Sequence, residues 1–132
     1  MDAVDKVLRI VREAKVIAYD TETTGLDDRS TIVGHVVCDG SESLYVPVAH
    51  VGGGNILDAD CFRTELNRAF AERDRLKLRT VGHNIGFDLR AAHRSGVFPG
   101  GAFEDTMINE NLIDDCTEGY SLEACAERWR VP

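Results

Sequence analysis

Positive charge is scarce in this chain: among 132 residues, 15 Lys and Arg face 23 Asp and Glu, and the net charge is −8. A surface this acidic offers no general landing site for a polyanion, so any contact with nucleic acid has to be local. The shortage is steepest over residues 104–127, which hold eight acids and neither Lys nor Arg. Helix caps and a solvated face account for such a run. Long apolar stretches are also missing. None approaches the roughly 18 residues of a membrane span, and the N-terminus has no signal-peptide core, which points to a cytoplasmic protein with no membrane partner. The four cysteines, Cys38, Cys61, Cys116 and Cys125, form no C-x-x-C pair and have no histidine at zinc-finger spacing. They read as reduced, mostly packed thiols. Gly52-Gly53-Gly54 lacks the Lys-Ser/Thr of a phosphate loop, and the four histidines, His35, His50, His83 and His93, show no metal-ligand spacing.

What is present fits one domain with one core, since a chain of about 150 residues buries roughly 70% of its unfolded surface. Val4, Val7, Leu8 and Val11 recur at helical spacing and predict an amphipathic helix over residues 2–14. A short apolar run, Val16-Ile17-Ala18-Tyr19, predicts a buried strand. Residues 31–38 and 44–48 read as two more strands around the hairpin signal Asp39-Gly40, with Pro47 marking an edge. Asp58 predicts the cap of a helix with Phe62, Leu66, Ala69 and Phe70 on one stripe. A strand at 80–82, a helix at 86–95 and a minimal strand at Ala102-Phe103 follow. Two further helices are expected, one capped by Asp105 and one beginning at Ser121 with Trp129 on its core stripe. Strands followed by strand–helix alternation predict a mixed sheet with helices packed on it. Arg73, Arg75, Lys77 and Arg79 form a basic cluster after the middle, and Arg90 and Arg94 share a helix face.

The first strand closes on Asp20-Thr21-Glu22-Thr23-Thr24-Gly25-Leu26. Side chains alternate along a strand, so Asp20 and Glu22 share a face with Cα atoms roughly 6.6 Å apart. Two carboxylates held side by side repel unless a cation lies between them. Oxygen ligands of this kind suit a hard divalent ion such as Mg²⁺ or Mn²⁺. A second group, Gly82-His83-Asn84-Ile85-Gly86-Phe87-Asp88, follows a short strand and opens a helix. Asn84 stands at the expected cap, and Asp88 in the first turn faces back towards the strand ends. Three converging acids would form a two-metal site suited to phosphodiester hydrolysis.

These two groups, with Glu104-Asp105-Thr106-Met107 and Ser121 to Trp129, resemble the 3′–5′ exonuclease domain of family A DNA polymerases, within the DEDD (DnaQ-like) superfamily. The resemblance implies an α/β, ribonuclease H-like fold. Its mixed five-stranded sheet has three antiparallel strands, then two parallel, flanked by helices. It also implies proofreading hydrolysis at single-stranded DNA 3′ ends, and a polymerase domain in the same or a companion chain. By position, Asp20 would bridge two Mg²⁺ or Mn²⁺ ions, Glu22 would hold the tighter one, and Asp88 would hold a water on the metal. Thr23 and Leu26 would meet the terminal nucleotide, with Asn84 and Phe87 at the strand end.

One part of the family pattern is missing. A later Tyr-x-x-x-Asp or His-x-x-x-x-Asp, which supplies the fourth acid and a group to orient water, does not occur between residues 89 and 132. The expectation is therefore a single exonuclease domain, residues 1–132, ending before the family's last helix. Two other readings stand beside it: an incomplete binding module that needs another segment or subunit, and a free-standing ribonuclease of the same superfamily.

Overall fold

The apolar run at residues 16–19 becomes the central strand of a five-stranded sheet. The computed structural model describes residues 2–115 and 119–132; Cys116 lies outside the described residues. In chain order the elements are α1 (Ala3–Glu13), β1 (Val16–Thr23), β2 (Ile32–Cys38), β3 (Ser43–Pro47), α2 (Ala59–Arg75), β4 (Arg79–Gly82), α3 (Ile85–Arg94), β5 (Ala102–Asp105), α4 (Thr106–Ile113) and α5 (Leu122–Arg128). The strand order is β3-β2-β1-β4-β5. β1–β2 and β2–β3 are antiparallel, whereas β1–β4 and β4–β5 are parallel. This is the mixed sheet expected from the sequence. Pro47 closes the edge strand, where its missing N–H costs no ladder bond.

Alternation along β1 sorts its side chains. Ile17, Tyr19 and Thr21 are buried, while Val16, Ala18, Asp20 and Glu22 face solvent. The buried row meets Val7 and Val11 of α1, and Phe62, Leu66 and Phe70 of α2. Tyr19 packs edge-on against Phe70 with ring centroids 5.3 Å apart. Each such apolar side chain contributes about 1.5–3 kcal/mol by leaving water. Tyr19 also meets His35 Nδ1 at 3.0 Å in the core. Burial pushes His35 down to about 4, so it stays neutral and structural. Ala91 and Ala92 of α3 join the same core.

Arg73 stands apart from the rest of its basic cluster. It is fully buried and donates to the Val11 carbonyl at 3.0 Å, the Ala14 carbonyl at 2.7 Å, the Thr80 hydroxyl at 2.8 Å and the Arg79 carbonyl. The guanidinium thus satisfies the exposed carbonyl end of α1 and ties it to β4. Burial lowers it to about 10. The rest of the basic cluster pairs locally, Arg75 with Glu72, Lys77 with Asp74 and Arg79 with Glu104, so no free basic patch results.

Two further expectations are corrected. Trp129 is not core: it is 58% exposed, and its indole N–H donates to the buried Glu110 at 2.7 Å. The apolar stripe of α5 exists, but little covers it. Cys61 is exposed rather than packed, whereas Cys38 and Cys125 are half-buried free thiols. Among the described residues, no helix is long and apolar enough to cross a membrane.

Arg73→Ala should destabilise the protein by about 3 kcal/mol or more, because it leaves several buried acceptors unpaired. Urea denaturation measures this, and a loss below about 1 kcal/mol would contradict the assigned role.

Candidate active site

The parallel ladder between β1 and β4 runs only from Val16↔Arg79 to Ala18↔Val81. Past Ala18 the strands part, and the start of α3 fills the gap. On the other side, β1 stays paired with β2 through Asp20↔Val36 and Glu22↔Gly34, and a bulge follows between Glu22 and Thr23. Bulges turn a strand end and re-aim its side chains.

Thr21 faces the gap and holds Asp88. Its backbone N–H donates to Asp88 Oδ1 at 3.0 Å, and its hydroxyl donates to the same oxygen at 2.6 Å. Asp88 is nearly sealed from water, 3% exposed. Burial raises its carboxyl to about 6; the Thr21 hydrogen bonds oppose that shift and the Asp20 charge adds to it. Asp20 is also raised, first by partial burial of its carboxylate and then by Glu22.

The helix start is built differently from the expectation for Asn84. Asn84 occupies the cap position, but in a left-handed conformation (φ 57°), and its side chain caps nothing. Asp105, at the end of β5, does that work. Its Oδ1 accepts from Asn84 N at 2.9 Å and from Met107 N at 2.9 Å, and its Oδ2 accepts from Ile85 N at 3.0 Å. One carboxylate therefore caps both α3 and α4.

All seven residues singled out by sequence line one open pocket of about 280 Å³: Asp20, Glu22, Asp88, Thr23, Leu26, Asn84 and Phe87. Leu26 stands 88% exposed at its rim. Thr23 donates to the Gly25 carbonyl at 2.7 Å, which shapes the turn carrying Leu26. Sequence reasoning missed Thr21 and His83, which also line the pocket. His83 Nε2 donates to the Tyr120 carbonyl at 2.6 Å, and Nδ1 pairs with the Thr106 hydroxyl at 2.9 Å. Its place between two matched residues was the only sequence signal. Arg90 and Arg94 are exposed and lie outside the pocket lining.

Among the described residues, no salt bridge reaches Asp20, Glu22 or Asp88. Nor do three His, Cys, Asp or Glu side chains gather closely enough to form a ready metal cage. The donors fit a hard divalent cation in chemistry: they are all carboxylates, and their uncompensated charges already strain one another.

A sequence family described as 3′–5′ exonuclease matches residues 1–130. The chain belongs to the 3′–5′ exonuclease family. It is 29% identical over 132 residues to DNA polymerase I of Pseudomonas aeruginosa, covering 95% of this chain and 14% of that protein. It is 31% identical over 112 residues to DNA polymerase I of Aquifex aeolicus, covering 85% and 16%. It thus spans about one-seventh of the Pseudomonas relative. Brucella melitensis NrnC bound to pGG superimposes with a TM-score of 0.65 at 24% identity, over 93% of this chain and 56% of that one. Trypanosoma brucei RNase D superimposes with a TM-score of 0.64 at 16% identity, over 83% and 36%. These structural likenesses bear out the expected ribonuclease H-like fold of this family member.

Because the Asp88 carboxyl is raised, its protonated form favours the fold. That contribution is complete below the ordinary value of 3.8 and is lost as pH rises through about 6. Asp88→Asn, in metal-free buffer at pH 7, should raise the melting temperature by about 2–4 °C. It should also flatten the wild-type gain in stability on acidification from pH 7 to 4. A variant whose pH profile parallels the wild type would show that Asp88 is not the strained group.

Proposed function

We propose that residues 1–132 form a metal-dependent 3′–5′ exonuclease domain that removes nucleotides from single-stranded DNA 3′ ends for proofreading. It would act with a polymerase domain in the same or a companion chain, in the cytoplasm. The observation that carries this reading is the meeting of two sequence groups, residues 20–26 and 84–88, in one pocket whose three carboxylates have no salt-bridge partner among the described residues. The DNA polymerase I relatives supply the substrate class.

Asp20, Glu22 and Asp88 would hold Mg²⁺ or Mn²⁺. NrnC has been solved with bound Mg²⁺. Bound ions of this kind stabilise the charge that develops on the departing oxygen and make water a better nucleophile. The protein's own part is placement. Thr21 fixes one oxygen of Asp88, so the other is left for a ligand. Leu26 offers an exposed apolar edge for a terminal base, with Phe87 in the lining below. Thr23 and Asn84 supply polar groups at the strand end. Asp88 is nearly sealed from water, and a charge in such surroundings acts more strongly on a cation than one in bulk solvent.

The absence of a three-acid cage among the described residues favours a second reading: a nucleic-acid-binding module whose site is completed by a group from another segment or subunit. One assay separates the readings. The protein is incubated with Mn²⁺ and single-stranded DNA or RNA oligonucleotides. The exonuclease reading expects release of nucleotides from DNA 3′ ends, and Asp20→Ala should lower it more than the 10–100-fold typical of changes around a metal ligand. Turnover unaffected by Asp20→Ala would remove the assigned centre, and binding without turnover would favour the module. Faster RNA degradation would assign the ribonuclease. A companion measurement is melting in millimolar Mn²⁺, which should rise by mass action if the ion binds the folded form alone.

A further inference from the structure

We propose that Tyr45 and His50 are positioning residues for Glu22, with the phenol hydroxyl of Tyr45 steering the Glu22 carboxylate into the metal pocket. This rests on the metal-site reading above and adds to it a group that the matched motifs do not contain.

β1, β2 and β3 align Glu22 with Gly34 and Pro47 in one row, and Asp20 with Val36 and Tyr45 in the next. Paired residues share a sheet face, so Tyr45 stands on the side that carries both acids. Its ring does not stay in its own row. It lies across β2 above Gly34, where any Cβ would collide with the hydroxyl and the ring. Glycine at 34 is what lets a phenol from β3 reach over β2 towards β1. The hydroxyl therefore stands over the residue directly opposite Glu22.

The ring is also pinned there. The Tyr45 hydroxyl is hydrogen-bonded to His50 Nε2, and the two rings meet edge to face at 5.9 Å. His50 is itself clamped. Its backbone N–H donates to Asn55 Oδ1 at 2.7 Å, and Asn55 Nδ2 donates to its carbonyl at 3.0 Å. With the Nε2–H tautomer, His50 donates to the phenol oxygen and frees the phenol proton to point at Glu22, which only accepts.

Glu22 needs such a partner. Asp88 is fixed by two hydrogen bonds from Thr21, yet among the described residues none reaches the Glu22 carboxylate. A free glutamate loses rotamer freedom on taking up a ligand position, and a fixed donor reduces that loss. The two groups already feel each other: after burial, the Glu22 charge raises the Tyr45 hydroxyl above its usual value.

The test is a Mn²⁺ titration followed by electron paramagnetic resonance, with melting of the metal-free protein as a fold check. Tyr45→Phe removes only the hydroxyl and should weaken Mn²⁺ binding about 10-fold; His50→Ala should do the same, with the metal-free melting curve unchanged. In a Glu22→Gln background Tyr45→Phe should have no further effect, which a merely structural role would not produce. If Tyr45→Phe alters the metal-free melting curve, His50→Ala carries the same cycle. Wild-type affinity in both variants, or an equal loss with and without Glu22, overturns the proposal and leaves the metal site intact. A wild-type protein that takes up no Mn²⁺ overturns both.

Discussion

Beyond Ala18, β1 has no parallel neighbour, and the site depends on how that open edge is closed. A backbone N–H cannot be buried there without a partner. Asp88 provides it at Thr21, 67 residues away in sequence. The same contact that closes the sheet edge therefore fixes a buried carboxylate in the pocket that Asp20 also lines. Folding and site assembly are one event here, because the strand end is not satisfied until α3 has docked. The cost is electrostatic: a carboxylate held in little water, with the Asp20 charge nearby, is raised well above its ordinary value.

A second acid solves the matching problem at the start of α3. The turn from β4 into the helix needs a left-handed residue, and Asn84 tolerates that conformation better than most. With its backbone turned that way, its own side chain forms no cap. The free N–H groups of Asn84 and Ile85 fall to Asp105, which simultaneously caps α4. β5 thus does more than widen the sheet: its last residue sets where α3 begins, and with it the height of Asp88 above β1.

Local patterns told the truth about local structure. The strand at 16–19, though buried on one face only, the alternation that pairs Asp20 with Glu22, the hairpin at Asp39-Gly40, the caps at Asp58 and Asp105 and the helix start at Ser121 all stand as read. What the sequence did not show were matters of what packs on what. Arg73 reads as surface charge, because no local rule announces three carbonyls and a hydroxyl converging on it. Trp129 lies on an apolar stripe, but a stripe reports only which face is apolar, not whether anything lies against it. The role of Thr21 depends on a partner in another element, Asp88 of α3, which no local pattern shows. No ligand spacing marks His83, yet its position beside Asn84 makes it part of the pocket lining.

Several acids elsewhere in the chain have a basic partner. Glu104 takes Arg79, Glu110 takes Arg128 and the Trp129 indole, Glu72 takes Arg75, and Glu42 takes Lys6. The pocket is different. Three carboxylates line it, Glu22 acting on Asp20 and Asp20 on Asp88, and among the described residues no Lys, Arg or His forms a salt bridge with them. Arg90 and Arg94 lie on the neighbouring helix face, exposed, and are not recruited. A fold selected for stability alone would neutralise such a cluster, for instance by replacing one acid with its amide. Local violations of this kind are expected where a ligand supplies the missing term. The term these acids lack is positive charge, and an all-oxygen donor set of this kind suits a hard cation in its chemistry.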